Sequence, residues 1–446
     1  METILIKAAQ LILSLSILVV LHEFGHFMFA RLFKTRVEKF YLFFDPWFSL
    51  FKVKKGETEY GVGWLPLGGY VKISGMIDES MDKEAMKQPP QPHEFRAKPA
   101  WQRLLIMLGG VMMNFLFAVI IYIGISYAWG ESYLPTENVK YGIEVSEVGE
   151  EIGFRDGDKI VSVGNRHVEN FSKIVPTIVL DGAKTVQVMR DGELVDVEIS
   201  DSDLALLLKT KEEVISWRKP FDIKVGQVAK DSPAEEAGLQ SGDVFVSVDG
   251  KNFEFYDEFS DYLASKKNGK VELTMLRDGN TISKEVEVTE EGKLGFYAAY
   301  NDPEILEMAT VDYGFFESIP AGINRGVQTT QDYLKQFKLF FRPETKAHES
   351  LGGFATIGNI FPSQWDWFAF WNMTAFISII LAIMNLLPIP ALDGGHVMFL
   401  FFEMVSGRKP GEKFLEYAQI TGMILLLALV LYANANDIIK MINGTF

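Results

Sequence analysis

Ile17-Leu-Val-Val-Leu-His-Glu-Phe-Gly-His-Phe-Met-Phe-Ala-Arg31 is the stretch on which the reading of the whole chain turns. It sets His22-Glu23-Phe24-Gly25-His26 inside an apolar run. On a helix, positions four apart share a face, so both imidazoles reach one metal ion. Glu23, next to His22, is placed to act on water at that ion. Three ionisable side chains in an apolar helix are costly, and such residues are functional by default. Two His ligands do not complete a catalytic site, which needs a further protein ligand and an open position. The chain contains no Cys, so any metal must be held by His and carboxylate groups.

Composition fits membrane spans joined to water-exposed domains. Hydrophobic residues make up 48% of the 446, with 35 Phe and 8 Trp, yet 23% are charged. A net charge of −16 argues against nucleic acid as a partner. Long apolar stretches then locate the spans. Residues 1–33 form the first and carry the motif. A secretory signal peptide with residues 8–21 as its apolar core is the competing reading, but no small-residue cleavage site follows. Residues 104–130 form the second span. Within it, Gly109, Gly110 and Asn114 suit close helix packing, with the amide available for hydrogen bonding between helices. The third span covers 366–404 and the fourth 417–436.

The third span ends in Asn385-Leu-Leu-Pro-Ile-Pro-Ala-Leu-Asp-Gly-Gly-His396. Asp393 is the one carboxylate between 367 and 402. Pro388 and Pro390 break the helix before it and free the backbone to aim its side chain. Spans one and three run in the same direction, and His22 and Asp393 both lie late in their spans. Asp393 is therefore the candidate for the missing ligand.

Residues 34–103 form a loop on the cytoplasmic side by the positive-inside rule, with Lys34, Arg36, Lys39, Lys52, Lys54 and Lys55. Residues 408–413, with Arg408, Lys409 and Lys413, fall on the same side, leaving both termini and the central domains outside. Residues 59–73 read as a β-hairpin broken at Pro66, Gly68 and Gly69. No charge occurs from 60 to 71, so this hairpin is expected at the membrane boundary. Non-helical backbone at membrane depth must be covered by protein or line a cavity.

The middle of the chain repeats. Gly153-Phe-Arg-Asp-Gly-Asp-Lys-Ile-Val-Ser-Val-Gly164 aligns with Gly238-Leu-Gln-Ser-Gly-Asp-Val-Phe-Val-Ser-Val-Asp249, and Arg190-Asp-Gly192 with Arg277-Asp-Gly279. Two matches in one order imply two copies of a domain, over 135–215 and 220–290. Ser232-Pro-Ala-Glu-Glu-Ala-Gly-Leu-Gln-Ser-Gly-Asp243 resembles the PDZ signature of bacterial envelope proteases. Such domains bind peptide ends by adding a strand to a sheet edge, or they restrict access. Residues 291–365 connect the copies to the membrane through an amphipathic helix over 318–341, with Ile319, Ile323, Val327 and Leu334 on one side.

The expected fold is a multi-span α-helical membrane protein with four transmembrane helices. It carries a membrane-associated β-hairpin or sheet and two inserted α+β PDZ domains. Over nearly its whole length the chain resembles the site-2 protease family, in its regulator-of-sigma-E protease type. The motifs that carry the likeness are HEFGH, LPLGGYVK, the tandem PDZ insertion and NLLPIPALDGGH. The resemblance implies one catalytic zinc held by His22, His26 and Asp393, with Glu23 as general base. It implies that the hairpin, through Gly68, Gly69, Tyr70 and Val71, holds substrate as an extended strand, and that Asn385 helps to position it. His396 lies outside the family's ligand pattern. The implied substrates are single-span proteins of the bacterial inner membrane, such as anti-sigma factors or remnant signal peptides, cut after a first cleavage. Two rival readings are a zinc transporter, which would want ligands along a continuous path, and an inactive PDZ scaffold, which would lack Glu23 or a ligand.

Overall fold

The computed structural model describes residues 2–66, 68–76, 89–210, 212–221, 223–299, 306–339 and 352–442. Leu67 of the hairpin stretch and positions 340 and 341 of the amphipathic helix lie outside them. In chain order the helices are α1 (Glu2–Leu32), α2 (Ala100–Trp129), α3 (Glu147–Ile152), α4 (Ile174–Asp181), α5 (Asp201–Lys209), α6 (Pro233–Glu236), α7 (Tyr256–Ala264), α8 (Phe315–Leu339), α9 (Phe354–Asn359), α10 (Trp367–Leu386), α11 (Asp393–Ser406) and α12 (Glu412–Ile442). Two compact units result. One is Met1–Gly130 with Asp312–Phe337 and Ala347–Phe446, the other Glu131–Val311 with Lys338–Lys346.

In the first unit, α1, α2, α10 and α12 are long and apolar enough to cross a membrane. Local chemistry sets their ends. Pro99 precedes α2, where its missing N–H costs nothing, and Gly130 closes the helix at φ +65°. Asp366 caps α10 by accepting the Ala369 N–H at 2.7 Å. Leu387, which precedes Pro388, takes an extended conformation and ends that helix. The expected third span over 366–404 is thus two helices, α10 and α11, and Asp393 is the first residue of the second. Asp437 on α12 is 2% exposed and accepts the Ala355 and Thr356 N–H groups, both at 3.0 Å, which caps α9.

Residues 59–73 are not a hairpin. Strands β1 (Val37–Leu42), β2 (Phe44–Lys55), β3 (Thr58–Leu65) and β4 (Tyr70–Ile73) form one sheet in the order β2-β3-β1-β4. The hairpin is β2–β3, turning at Gly56, where φ is +65°. The chain then crosses over β1, which lies parallel to β3 and antiparallel to β4. The Pro66–Gly69 break reads locally as a tight turn, but β1 fills the space between the two strands. β4 becomes an edge strand. Trp47, Phe48, Leu50 and Phe51 on β2 remain exposed.

The second unit holds the repeat. In the first copy, β7 (Lys159–Val163), β8 (Thr185–Arg190) and β9 (Glu193–Glu198) form one sheet, and β6 (Ile143–Val145) pairs with β10 (Ile215–Trp217). In the second copy, β11 (Lys224–Val228), β12 (Val244–Val248), β13 (Lys270–Arg277), β14 (Asn280–Glu287) and β15 (Phe296–Ala299) form one sheet in the order β14-β13-β12-β11-β15. β15 lies beyond the expected boundary at 290 and is needed to pair with β11. A short pair of β5 (Glu131–Tyr133) and β16 (Ala309–Val311) joins the ends of the unit.

The sequence motif marks the same ion pair in both copies. Arg190 donates to both Asp158 carboxylate oxygens at 2.7 Å and to Gly153 O at 2.9 Å. Arg277 does the same to Asp243 at 2.7 Å and to Gly238 O at 2.9 Å. The copies differ at α5, which only the first inserts between its last two strands. Ser200 and Asp203 form a capping box there, and Leu204 and Leu207 join Ile174 and Ile178 in the core.

Burial would lift the Asp243 carboxyl, but the Arg277 hydrogen bonds and the Gln240 N–H hold it below its ordinary value. A depressed carboxylate stabilises the fold above its unfolded pKa of about 3.9, and that stability is lost as pH falls towards its folded value. Arg277→Ala leaves a buried charge unpaired and should cost about 3–5 kcal/mol at pH 7. Thermal unfolding of the full chain should show a deficit that is largest near neutrality and shrinks below about pH 4. A deficit independent of pH would remove the ion pair from the account.

Candidate metal centre

The centre is built on a contact between two helix backbones. Gly25 of α1 lies against Gly109 of α2 so closely that a Cβ on Gly25 would overlap the Gly109 carbonyl. A Cβ on Gly109 would stand 2.5 Å from Gly25 O. With no side chain between them, α1 brings His22 and His26 onto α2. His26 is 5% exposed, and its Nδ1 sits 2.8 Å from Ile106 O. A carbonyl can only accept, so Nδ1 carries the proton and Nε2 presents a lone pair. Gly110 leaves room for both rings: a Cβ there would lie 2.5 Å from His22 Cε1 and from His26 Nε2.

Asp393 arrives from the far end of the chain. The Pro388–Pro390 turn carries Ala391 at φ +85°, a conformation unfavourable for a residue with a side chain. Gly394 and Gly395 pack on the carbonyls of Leu387 and Ile389, where a Cβ would collide. Gly422 of α12 lies just as tightly on Pro390. Arg103 of α2 donates to Glu403 at 2.5 Å, with both side chains nearly buried, and holds α11 to α2.

Asp393 Oδ2 thereby stands 3.1 Å from His22 Nε2 and 3.2 Å from His26 Nε2. The two Nε2 atoms are 3.2 Å apart. This is about the spacing of ligands around one small ion. Asp393 Oδ2 is buried and has no hydrogen-bond partner. An orphaned carboxylate oxygen facing a lone pair on His26 is unfavourable unless a cation lies between them. The donor set of two imidazoles and one carboxylate therefore fits zinc, and an adjoining cavity leaves a further position open.

That cavity holds about 430 Å³ and is lined by Glu23, the three converging residues, Lys39, Gly69, Tyr70, Val71, Lys72, His396 and Gln419, among others. The Val71 backbone N–H faces the Glu23 carboxylate. The outer edge of β4 thus faces the site. Gly69 makes that approach possible, since a Cβ there would stand 2.7 Å from Tyr41 O and 2.8 Å from Val19 Cγ1. Tyr70 stacks on Tyr41 and donates to Asp45 Oδ1 at 2.9 Å. Burial and that carboxylate raise its hydroxyl above the ordinary tyrosine range. Gly68 does not line the cavity. Asn385, on the last turn of α10, does not line it either. His396 lines it but stands outside the group of three. For α2 the sequence alone indicates packing and nothing more. Ile106, Gly110 and Asn114 stand at i, i+4 and i+8, and that spacing is the signal that could have found them.

A helix-borne His pair, a neighbouring Glu and a distant Asp, set among apolar helices, define a membrane protein with an H-E-x-x-H type metal site. The model of peptidase family M50 matches residues 10–429. The chain is 28% identical over 450 residues to a Neisseria meningitidis protein named "Putative zinc metalloprotease", covering 97% of this chain and 98% of that one. It is 26% identical to the regulator of sigma E protease of Haemophilus influenzae, covering 96% and 98%. A solved PDZ domain of an SdrC-like protein from Listeria monocytogenes is 27% identical and covers 17% of this chain and 85% of its own, at a TM-score of 0.16. The chain belongs to peptidase family M50, the site-2 protease family, and is a zinc metalloprotease.

The packing at Gly110 gives a direct test. Gly110→Ala should displace both rings and weaken zinc binding by about tenfold or more. Gly124→Ala on the same helix meets nothing within 4 Å and should leave it unchanged. Zinc content of the two purified variants checks this; full occupancy in Gly110→Ala would show that the rings need no such space.

Proposed function

We propose that this chain is an intramembrane protease, which hydrolyses peptide bonds inside the transmembrane segments of single-span membrane proteins. The observation that carries the reading is the placement of His22, His26, Asp393 and Glu23 on a cavity among apolar helices, walled by the open edge of β4. His22, His26 and Asp393 would hold the ion. When bound, zinc lowers the pKa of water to about 7 and polarises the scissile carbonyl. Glu23 accepts the proton of the attacking water and delivers it to the leaving amine nitrogen.

A transmembrane helix hides its peptide bonds in i to i−4 hydrogen bonds, so it must unwind before attack. Gly69, Tyr70 and Val71 offer it a strand edge, and pairing there offsets the lost bonds. The Val71 N–H, turned towards Glu23, links that edge to the base. The exposed aromatic face of β2 suits lipid contact, and the basic stretches at 31–103 and 408–413 favour a cytoplasmic-side site in the bacterial inner membrane. In this reading the two repeated domains are PDZ domains on the periplasmic side with both termini. They bind peptide ends or exclude substrates that have not yet lost their outer domain. Anti-sigma factors and remnant signal peptides are the substrate classes this implies. Asn385 would act from the rim of the site. A transporter or an inactive scaffold is less well supported, because Glu23 and the complete donor set converge on one point.

Glu23→Gln should retain zinc and lose about 10²–10⁴-fold in cleavage of a model membrane helix, while Asp393→Ala should lose both. Stoichiometric zinc in Asp393→Ala would place the third ligand elsewhere.

Val71→Pro should sharply reduce cleavage with zinc content unchanged, since it removes the N–H that serves the edge and Glu23, whereas Val71→Thr should have little effect. Equal activity of Val71→Pro and the native chain would exclude both roles.

A further inference from the structure

α2 turns three residues towards the metal centre, and two have an evident task. Ile106 O receives the His26 Nδ1 proton, and Gly110 makes room for the rings. The third is Asn114, which is 1% exposed. Its backbone carbonyl accepts the Ser378 hydroxyl of α10 at 2.7 Å, so the residue is held firmly in place. Its carboxamide reaches His22, with Nδ2 3.5 Å from His22 Nδ1, while its Oδ1 is buried without a hydrogen-bond partner.

These two facts conflict with the chemistry of His22. To offer Nε2 to a metal, the ring must carry its proton on Nδ1, and that proton needs an acceptor. An NH2 group cannot accept. The two ends of a carboxamide have the same shape, and a half-turn about Cβ–Cγ exchanges them. The exchange places the orphaned oxygen on the Nδ1 proton. It moves the unmet demand from an acceptor to an NH2 group, and it closes the one contact that metal binding requires.

We propose that Asn114 is a positioning residue whose Oδ1 accepts the His22 Nδ1 proton and holds that ring in its metal-binding tautomer. Ile106 O does this for His26. The two rings are thus oriented by groups two helical turns apart on one face of α2, one a backbone carbonyl and one a side chain. The inference rests on His22 being a ligand.

The test uses the full chain purified in detergent, stripped of metal and titrated with Zn2+ against a chelator of known affinity. Co2+ absorption reports the ligand geometry. Asn114→Leu keeps the volume and removes the acceptor, and should weaken zinc binding about 10–100-fold and alter the Co2+ spectrum. Asn114→Asp keeps an acceptor at the same place and should bind within a few-fold of the native chain. Should Asn114→Leu fail to fold, Asn114→Ala carries the same expectation. Thermal unfolding of the metal-free variants separates packing from ligand orientation, because a purely structural role would lower stability and leave the affinity of the folded protein alone. Native-like affinity and spectrum in folded Asn114→Leu or Asn114→Ala would overturn the proposal, as would Asn114→Asp binding zinc no better than Asn114→Leu. Native-like zinc affinity in His22→Ala would instead overturn the metal centre itself.

Discussion

The contact between the backbones of α1 and α2 at Gly25 and Gly109 is what the rest of the site depends on. Helices with ordinary side chains pack with axes about 8–10 Å apart. Here the absence of side chains lets Ile106 O come within 2.8 Å of His26 Nδ1 and lets both rings lie over Gly110. Any added Cβ at this crossing would have to push the helices apart. α2 is also the element to which the others are tied. Ser378 bonds α10 to it at Asn114, and Glu403 bonds α11 to it at Arg103. Asp393 begins α11, so its position is inherited from α2 as well.

Polar groups among apolar helices are expensive, and this unit shows how that cost is limited. Asp437 is satisfied by the amides of α9, and Arg103 and Glu403 satisfy each other. His26 gives its proton to a backbone carbonyl. At the centre itself Asn114 Oδ1 and Asp393 Oδ2 are left unsatisfied, and Asp393 Oδ2 is buried between two imidazoles. An unsatisfied acceptor at a point where two rings converge is costly for the apoprotein, and a cation held there would offset that cost. The same burial would strengthen every electrostatic interaction at such an ion, because little water competes.

The repeated domains follow a different rule. Each is held by a carboxylate just before its second strand and an arginine at the end of the following strand, paired through two hydrogen bonds. The pair is buried on the carboxylate side, at 0% and 1% exposed, so it specifies where two strands meet as much as it stabilises them. Around this common frame the copies diverge. The first adds α5 and divides its strands between two sheets, while the second keeps five strands together.

Much of the centre was legible in the amino-acid order. His22, Glu23 and His26 are local: four-residue spacing on one helix decides their arrangement. Asp393 could be chosen because no other carboxylate lies in its apolar stretch. The repeated domains were legible because the glycines, aspartates and arginines of the Asp–Arg frame recur at nearly constant offset. Three things were decided only by the fold. The 59–73 stretch reads as a hairpin, yet β1 separates its strands, because strand pairing is non-local and a Pro-Gly break looks the same in a turn as in a crossover. The third span divides into α10 and α11, since the path of the chain after the prolines depends on the carbonyls that Gly394 and Gly395 pack against. The approach of Ile106, Gly110 and Asn114 to the two histidines depends on how two helices cross. Sequence determines which face a helix presents, but only tertiary packing determines which atoms of another helix that face will meet.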